Sequence, residues 1–305
     1  MAVDLEWNME SRDAFWRFVN ERMEIFWRRH VELKSPPWTN DPVLKKHKFT
    51  QVYRELDRGT LFLEHVTKGR RDDDAMVRVL VYRVLNNMEA YESLEEHVQN
   101  AGWVFSIAPV GEFVVWATNR MDRGKGCFNA AHLPPMVKFR PAEDNKTTAI
   151  MKQTVGYILS HKLNLFEEMG KTRNLEKLFD MFLEIPGIGP FYAYEFATDM
   201  AHLGFVKHSL DEWASIGPGC DRGLRQLVKS GSKYEAMVWL HQNQESEFTR
   251  LGIKFRQWNN RLSLRNIEHS LCEFQKYTRA QKTDWSRRQF RPSSVPLPLP
   301  TKEVV

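Results

Sequence analysis

Apolar residues recur at three- and four-residue spacing over most of the chain, and that period predicts helices. Between residues 9 and 33, Phe15, Phe18, Val19, Met23, Phe26 and Trp27 keep the period while Arg22, Arg28 and Arg29 fall between them, so an amphipathic helix is expected. Ser35 to Pro42 reads as loop because of its prolines, and Val52, Leu56, Leu61 and Leu63 predict a helix from Phe49 to Val66. The charged run Lys68 to Asp74 reads as a turn. Met76 to Glu89 then predicts a helix with Arg83, Asn86 and Glu89 on one face. Trp103 to Thr118 is the least helical stretch; Val104-Phe105 and Phe113 to Trp116 flank Pro109 and Gly111, which fits a short hairpin or irregular loop. Helical spacing returns over 146–165, 175–183, 191–200, 222–230, 233–248 and 263–277. Arg287 to Val305 is Pro-rich and polar and reads as an extended, mobile tail.

Composition agrees with a folded, mostly α protein. Apolar residues make up 42% of the 305 positions, with 10 Trp and 19 Phe, while only 16 Gly and 14 Pro interrupt the pattern. That length suits one helical unit over residues 1–285, with two lobes, followed by the tail at 286–305. The net charge of +5 and pI of about 9.0 admit a nucleic-acid partner without demanding one, because a solvated basic surface gives the same numbers. Cys127, Cys220 and Cys272 are too few and too scattered for a zinc site or disulfide framework, which points to a reducing compartment. The first residues carry acids where a secretory signal carries bases, and no run of about 18 apolar residues occurs, so no membrane is expected and the cytoplasm is the default location.

The sharpest local feature is Leu183-Glu-Ile-Pro-Gly-Ile-Gly-Pro-Phe-Tyr-Ala193, lying between two helical stretches. Gly187 and Gly189 present no Cβ and reach backbone angles closed to other residues, so successive amides can approach a phosphate oxygen. Pro190 suits the first turn of the next helix, whose N-terminal dipole adds to the attraction for an anion. A tight turn between packed helices is the plainer alternative. Ile185 and Ile188 also match the apolar positions that pack a helix-hairpin-helix, spanning about 175–200, and this favours a DNA-gripping role for Ile185, Gly187, Ile188 and Gly189. DNA glycosylases of the helix-hairpin-helix superfamily carry such a hairpin and a catalytic aspartate after it; Asp211 stands in that region. The lysine of their lyase branch is absent, with Phe191 and Tyr192 in its place, which argues against Schiff-base chemistry.

Several blocks resemble a more particular family. Phe49 to Thr60 (FTQVYRELDRGT), Tyr82 to Asn86, Pro186 to Asp199, Trp213 to Leu224 and Ile267 to Tyr277 are similar to motifs of the α-glutamyl/putrescinyl-thymine pyrophosphorylase family, so the likeness runs from about Glu21 to Arg279. That family is also met as the helical domain associated with 5-hydroxymethyluracil DNA kinases of bacteriophages. The resemblance implies a glycosylase-like two-lobed fold, a host-cytoplasm location, and a transferase. Its substrate would be double-stranded DNA whose thymine methyl carries a pyrophosphate, displaced by a free amino acid, glycine being the first guess, or by a polyamine. Gln51 stands where Asn is expected and Cys220 where a small residue such as Ala is expected.

Displacing pyrophosphate needs donors aimed at the leaving group, and arginine forks suit phosphate oxygens. Arg54, Arg58, Arg83 and Arg222 are therefore the candidate clamp for pyrophosphate or an amino-acid carboxylate, with Asn86 beside them. Arg54, Asp57 and Arg58 would share one helical face, although a surface ion-pair network reads equally well from the sequence. Gly217 and Gly219 flank Pro218 in a turn that could donate amides, or that merely precedes a helix. Asp211, Glu195, Asp199 and Asp57 are the candidate carboxylates for taking the amine's proton; Glu195 and Asp199 are one helical turn apart, and structural pairing is the alternative for each. Trp213, Tyr53, Phe191 or Tyr192 could stack on an extruded base, against a core role for each. No carboxylate motif demands a metal; Mg²⁺ accompanying the pyrophosphate and a monovalent cation at the hairpin are the cofactors this reading admits. A repair glycosylase using Asp211, and a non-catalytic DNA-binding scaffold, are the competing functions.

Overall fold

The computed structural model describes residues 5–129, 133–141 and 144–283. In chain order its first elements are β1 (Glu6–Trp7), α1 (Met9–Phe26), α2 (Pro42–Lys46), α3 (Arg58–Thr67), α4 (Asp73–Leu85), α5 (Met88–Asn100) and α6 (Val110–Asp122). There follow α7 (Lys146–Ile150), α8 (Gly156–Lys171), α9 (Leu175–Leu183), α10 (Pro190–His202), α11 (Pro218–Leu227), β2 (Val228–Ser230), α12 (Lys233–Arg250) and α13 (Leu264–Lys282). The protein is thus mostly helical, and none of its described helices is long and apolar enough to cross a membrane. Packing divides the chain in two: one unit joins the residues up to Arg58 with those from Trp213 on, and the other runs from Gly59 to Glu212.

In the first unit the apolar stripe of α1 is buried as its spacing predicts, and it packs through aromatic edges. Phe15 meets Phe274 with ring centroids 5.6 Å apart, Trp16 meets Phe248 at 4.9 Å, and Phe26 meets Trp258 at 5.4 Å. Each fully buried side chain of this size contributes about 1.5–3 kcal/mol. Helix α11 lies on α13 at near-backbone distance, because a Cβ on Gly219 would overlap Cys272 Sγ and one on Gly223 the Leu271 carbonyl. The only strands among the described residues, β1 and β2, pair antiparallel.

In the second unit every residue of α4 from Asp74 to Leu85 is buried, charged ones included, which makes it the central helix. Aromatic rings continue the core, with Phe62 4.9 Å from Tyr82 and Tyr91 5.5 Å from Phe105. Its two interior charges nearest the N-terminus satisfy one another: Arg78 donates to Asp74 at 2.8 Å, and Asp74 also accepts the Ser106 N–H at 2.9 Å.

Four expectations from the sequence are corrected. Residues 49–57 are not the start of a helix. A single 3₁₀ turn, Arg54–Leu56, precedes Asp57 in extended geometry, so Arg54, Asp57 and Arg58 do not lie on one helical face. Side chains have taken the backbone donors there: Asp57 accepts the Gln51 N–H at 2.9 Å and Asn266 accepts the Arg54 N–H at 3.0 Å. Helix α4 ends at Leu85 rather than running to Glu89, because Asn86 turns left-handed (φ 46°) and Asn87 caps α5 through the Ala90 N–H, so Arg83, Asn86 and Glu89 share no face. Residues 103–118, read as a hairpin or loop, hold a 3₁₀ turn and α6. Pro109 is tolerated at the helix start, and Phe113, Trp116, Ala117 and Arg120 keep the helical period beneath a β-branched run. The stretch 222–230 is helical only to Leu227 and then forms β2. The Pro-rich stretch 286–305 lies outside the described residues.

Candidate functional site

The hairpin of the second unit forms between α9 and α10. Ile185 and Ile188 are buried, and the Ile188 N–H closes on the Ile185 carbonyl at 3.0 Å. Gly187 has φ +81°, and a Cβ there would meet Val137 Cγ1 at 2.7 Å and Thr154 Oγ1 at 2.9 Å, so both conformation and space require glycine. Thr154 belongs to a π-turn, Met151–Val155, between α7 and α8, and its hydroxyl donates to the Pro186 carbonyl at 2.7 Å. The Gly187 carbonyl accepts the Met136 N–H at 3.1 Å, so the chain itself braces this side of the turn. Gly189 differs: it caps α10 in extended geometry, and the space its Cβ would fill is open. The first-turn amides of α10 have no intrahelical acceptor, and Phe191, beside them, is 52% exposed.

Arg83, Glu195 and Asp199 come together behind that turn. Asp199 is fully buried on α10 and receives two donors from Arg83 of α4, Nε and Nη2, the latter at 2.9 Å; Glu195 lies 3.7 Å from Nη1. Burial disfavours the charged guanidinium, but the two carboxylates more than offset it and hold the Arg83 pKa above its ordinary value. From the sequence these residues are expected at a clamp and at a base. In the fold they join α4 to α10 through one buried charge network.

The first unit concentrates positive charge. Buried Arg22, on α1, donates to the carbonyls of Phe49 (3.2 Å) and Thr50 (2.9 Å), and burial lowers its pKa to about 10 against the opposing pull of Glu273 and Asp57. Helix α1 runs on into a π-turn, Trp27–Val31, which carries Arg29 and His30. Turns of this kind are frequent at functional positions. Burial and then the neighbouring Arg58 lower the Arg29 pKa. Burial followed by Arg29, Arg58 and Arg22 brings His30 down to about 4, so its imidazole is neutral at pH 7. Arg58 is exposed, whereas Arg54 is buried and held by Asp57. Close by, Glu273 accepts the Thr50 N–H at 3.3 Å and pairs with Lys276, and the Thr50 hydroxyl bonds His269. Arg54, Asp57 and Arg58 were legible as candidates; Arg22, Arg29 and His30 were missed. Only the arginines interrupting the apolar stripe of α1 could have pointed to them.

The remaining candidates fall elsewhere. Tyr53 is a core residue, 1% exposed, with its hydroxyl on the Asn260 carbonyl at 2.6 Å, and burial raises its pKa. Tyr192 is buried, its hydroxyl on the Leu133 carbonyl at 2.9 Å and its pKa pushed up to about 12 by burial. Asn86 serves as the left-handed end of α4. Gly217 caps α11 with open space at its Cα, while Gly219 sits inside the helix against Cys272, where packing accounts for it. Arg222 is exposed on α11, within electrostatic reach of Cys272, whose thiol burial pushes up to about 12. Trp213 is half-buried, and Asp211 is exposed in a turn, its N–H on Ser209 Oγ at 3.1 Å. Among the described residues no group of three His, Cys, Asp or Glu side chains is placed to hold a metal ion. Two cavities are lined by none of these candidates. One of about 530 Å³ in the first unit lies against Glu21, Arg28, Trp38 and Asp41; the other, about 250 Å³ in the second unit, lies against Arg120, Arg123 and Lys125.

Residues 9–287 match the family described as 5-hmdU DNA kinase, helical domain, and the chain belongs to that family. A 5-hmdU DNA kinase of Bacillus phage SP10 is 28% identical over 318 residues, an alignment that takes in 93% of this chain and 49% of the phage protein. The chain therefore spans about half the length of that relative. No solved structure matches it.

Proposed function

We propose that this protein hypermodifies thymine in phage DNA, replacing the diphosphate on a 5-pyrophosphomethyl-deoxyuridine with an amino acid or a polyamine. The observation that carries the reading is the cluster of Arg22, Arg29 and Arg58 around neutral His30, to which Arg54 is joined through Asp57, in a chain of the 5-hmdU DNA kinase helical-domain family. Burial first and then Arg58 depress the Arg29 pKa, a positive field that an incoming polyanion relieves. In the reaction the amine nitrogen bonds to the exocyclic methylene carbon, the carbon–oxygen bond to diphosphate breaks, and diphosphate leaves with the bonding pair. Arginine donors aimed at those oxygens stabilise the charge as it develops. The nitrogen gives up one proton, and Asp57 is the candidate carboxylate in the same unit as the arginines. Asp57 is paired with Arg54 as Asp199 and Glu195 are with Arg83, but it shares a unit with the arginine cluster, whereas Glu195, Asp199 and Asp211 belong to the other unit.

The hairpin supports DNA as the substrate. Gly189 leaves room for a phosphate oxygen at the positive end of α10, and exposed Phe191 stands beside it. A glycosylase-like, two-lobed helix-hairpin-helix fold over residues 1–285 accompanies that substrate in this proposal. The test is to incubate the protein with DNA carrying pyrophosphorylated 5-hydroxymethyluracil and single amines, then digest to nucleosides for mass spectrometry. An amine-bearing thymidine with released diphosphate is expected; strand scission in hot alkali would instead identify base excision.

A further inference from the structure

The 530 Å³ cavity of the first unit is not used by the diphosphate-binding cluster, and its lining is of the opposite sign. Two carboxylates, Glu21 of α1 and Asp41 at the cap of α2, stand on it with the Trp38 ring and Arg28. Both carboxylates act on one group, the Tyr277 hydroxyl. It donates to Asp41 Oδ2 at 2.6 Å, and burial, then Asp41, then Glu21 raise its pKa. Arg28 partly balances them, with Nη1 3.2 Å from Glu21 and 2.7 Å from the Trp38 carbonyl, and Nη2 3.6 Å from Glu24. The Trp38 indole N–H donates to the Lys34 carbonyl at 2.6 Å, which fixes the ring. The Arg29 guanidinium lies over that ring, 5.1 Å from its centroid.

We infer that this cavity binds a protonated primary aliphatic amine, with its ammonium between Glu21 and Asp41 and its chain against Trp38. Carboxylates with an aromatic wall suit an alkylammonium, which gains charge-assisted hydrogen bonds and keeps its methylenes on an apolar surface. Arg28 offers a partner for an α-carboxylate, so the same cavity accommodates an amino acid. Since Arg29 covers Trp38 and also feels Arg58, one wall of the cavity adjoins the arginine cluster. This inference rests on the transferase reading above, for which the ligand is the nucleophile waiting beside the leaving-group site.

The test is titration calorimetry of the full chain with glycine, putrescine and acetate, alongside inorganic pyrophosphate. Asp41→Asn keeps the helix cap on its one amide oxygen and turns an N–H donor toward the Tyr277 hydroxyl, which must then accept, and Glu21→Gln keeps the side-chain shape. Each is expected to weaken amine binding about tenfold or more while pyrophosphate affinity stays within about twofold. Arg28→Gln separates the sources, reducing affinity for glycine alone if an amino acid is the ligand and leaving putrescine unaffected. Failure of the wild type to bind any amine, or an amine affinity in both carboxylate variants equal to the wild type's, overturns the inference. Amine transfer to DNA with an unchanged amine KM in those variants would refute this cavity and leave the transferase reading standing. Amine binding here without transfer to any DNA would do the reverse.

Discussion

Arg83 of α4 grips Asp199 of α10 through two donors, deep inside the second unit, with Glu195 3.7 Å away from the third nitrogen. The pair fixes the helix that begins at the hairpin, so its loss should appear first as instability. Asp199→Asn leaves Arg83 buried with one distant carboxylate and is expected to cost about 3–5 kcal/mol. Glu195→Gln should cost much less. Urea unfolding of both variants checks the order; equal and small effects would deny the pair its structural role.

The two hairpin glycines should separate folding from DNA binding. Gly187→Ala forces a side chain onto Val137 and Thr154 at φ +81° and is expected to destabilise by about 1–3 kcal/mol. Gly189→Ala meets nothing within 4 Å, so stability should hold. If a phosphate uses that opening, duplex affinity falls about fivefold or more. Fluorescence anisotropy at low salt measures it, because phosphate contacts weaken steeply as salt rises.

Within the arginine cluster, exposed Arg58 should be separable from stability. Arg58→Ala is expected to change unfolding free energy by no more than about 0.5 kcal/mol. Loss of a donor to the leaving group lowers kcat by about 10²–10³. Arg54→Ala should lower both, because it also strips Asp57 of its partner.

His30 gives the pH dependence a sign. Its folded pKa of about 4 lies below the ordinary 6.5, so between those values the unfolded chain takes up a proton that the folded chain refuses. Stability contributed by the neutral imidazole is present above pH 6.5 and is lost as pH falls toward 4. His30→Gln should flatten that part of the profile, and bound pyrophosphate should raise the His30 pKa, which an NMR titration of the ring reads.

Much of the helical layout was legible, since burying one stripe of each helix fixes the apolar period; α1, α9, α10, α12 and α13 are where the spacing predicts them. The turn between α9 and α10 was legible for a related reason, because Gly-Ile-Gly followed by Pro ends one helix and starts the next. What could not be read were the places where side chains override the backbone. Asp57 and Asn266 capture amides and break a helix the apolar pattern favours. Asn86 and Asn87 end α4 by left-handed geometry and capping, against a period that runs on. The π-turns at 27–31 and 151–155 add one residue to a turn and leave no mark in composition, yet one carries His30 and the other braces the hairpin. Burial also reassigned Tyr53 and Gly219, whose residue types suit a ligand site and a packed core equally well.

The most direct measurement is a crystal structure of the protein grown with inorganic pyrophosphate. Density for the diphosphate within hydrogen-bond reach of Arg29, Arg54 and Arg58 is the expected result. Diphosphate bound instead beside Arg120, Arg123 and Lys125 of the other unit, with the first-unit cluster empty, would contradict the account.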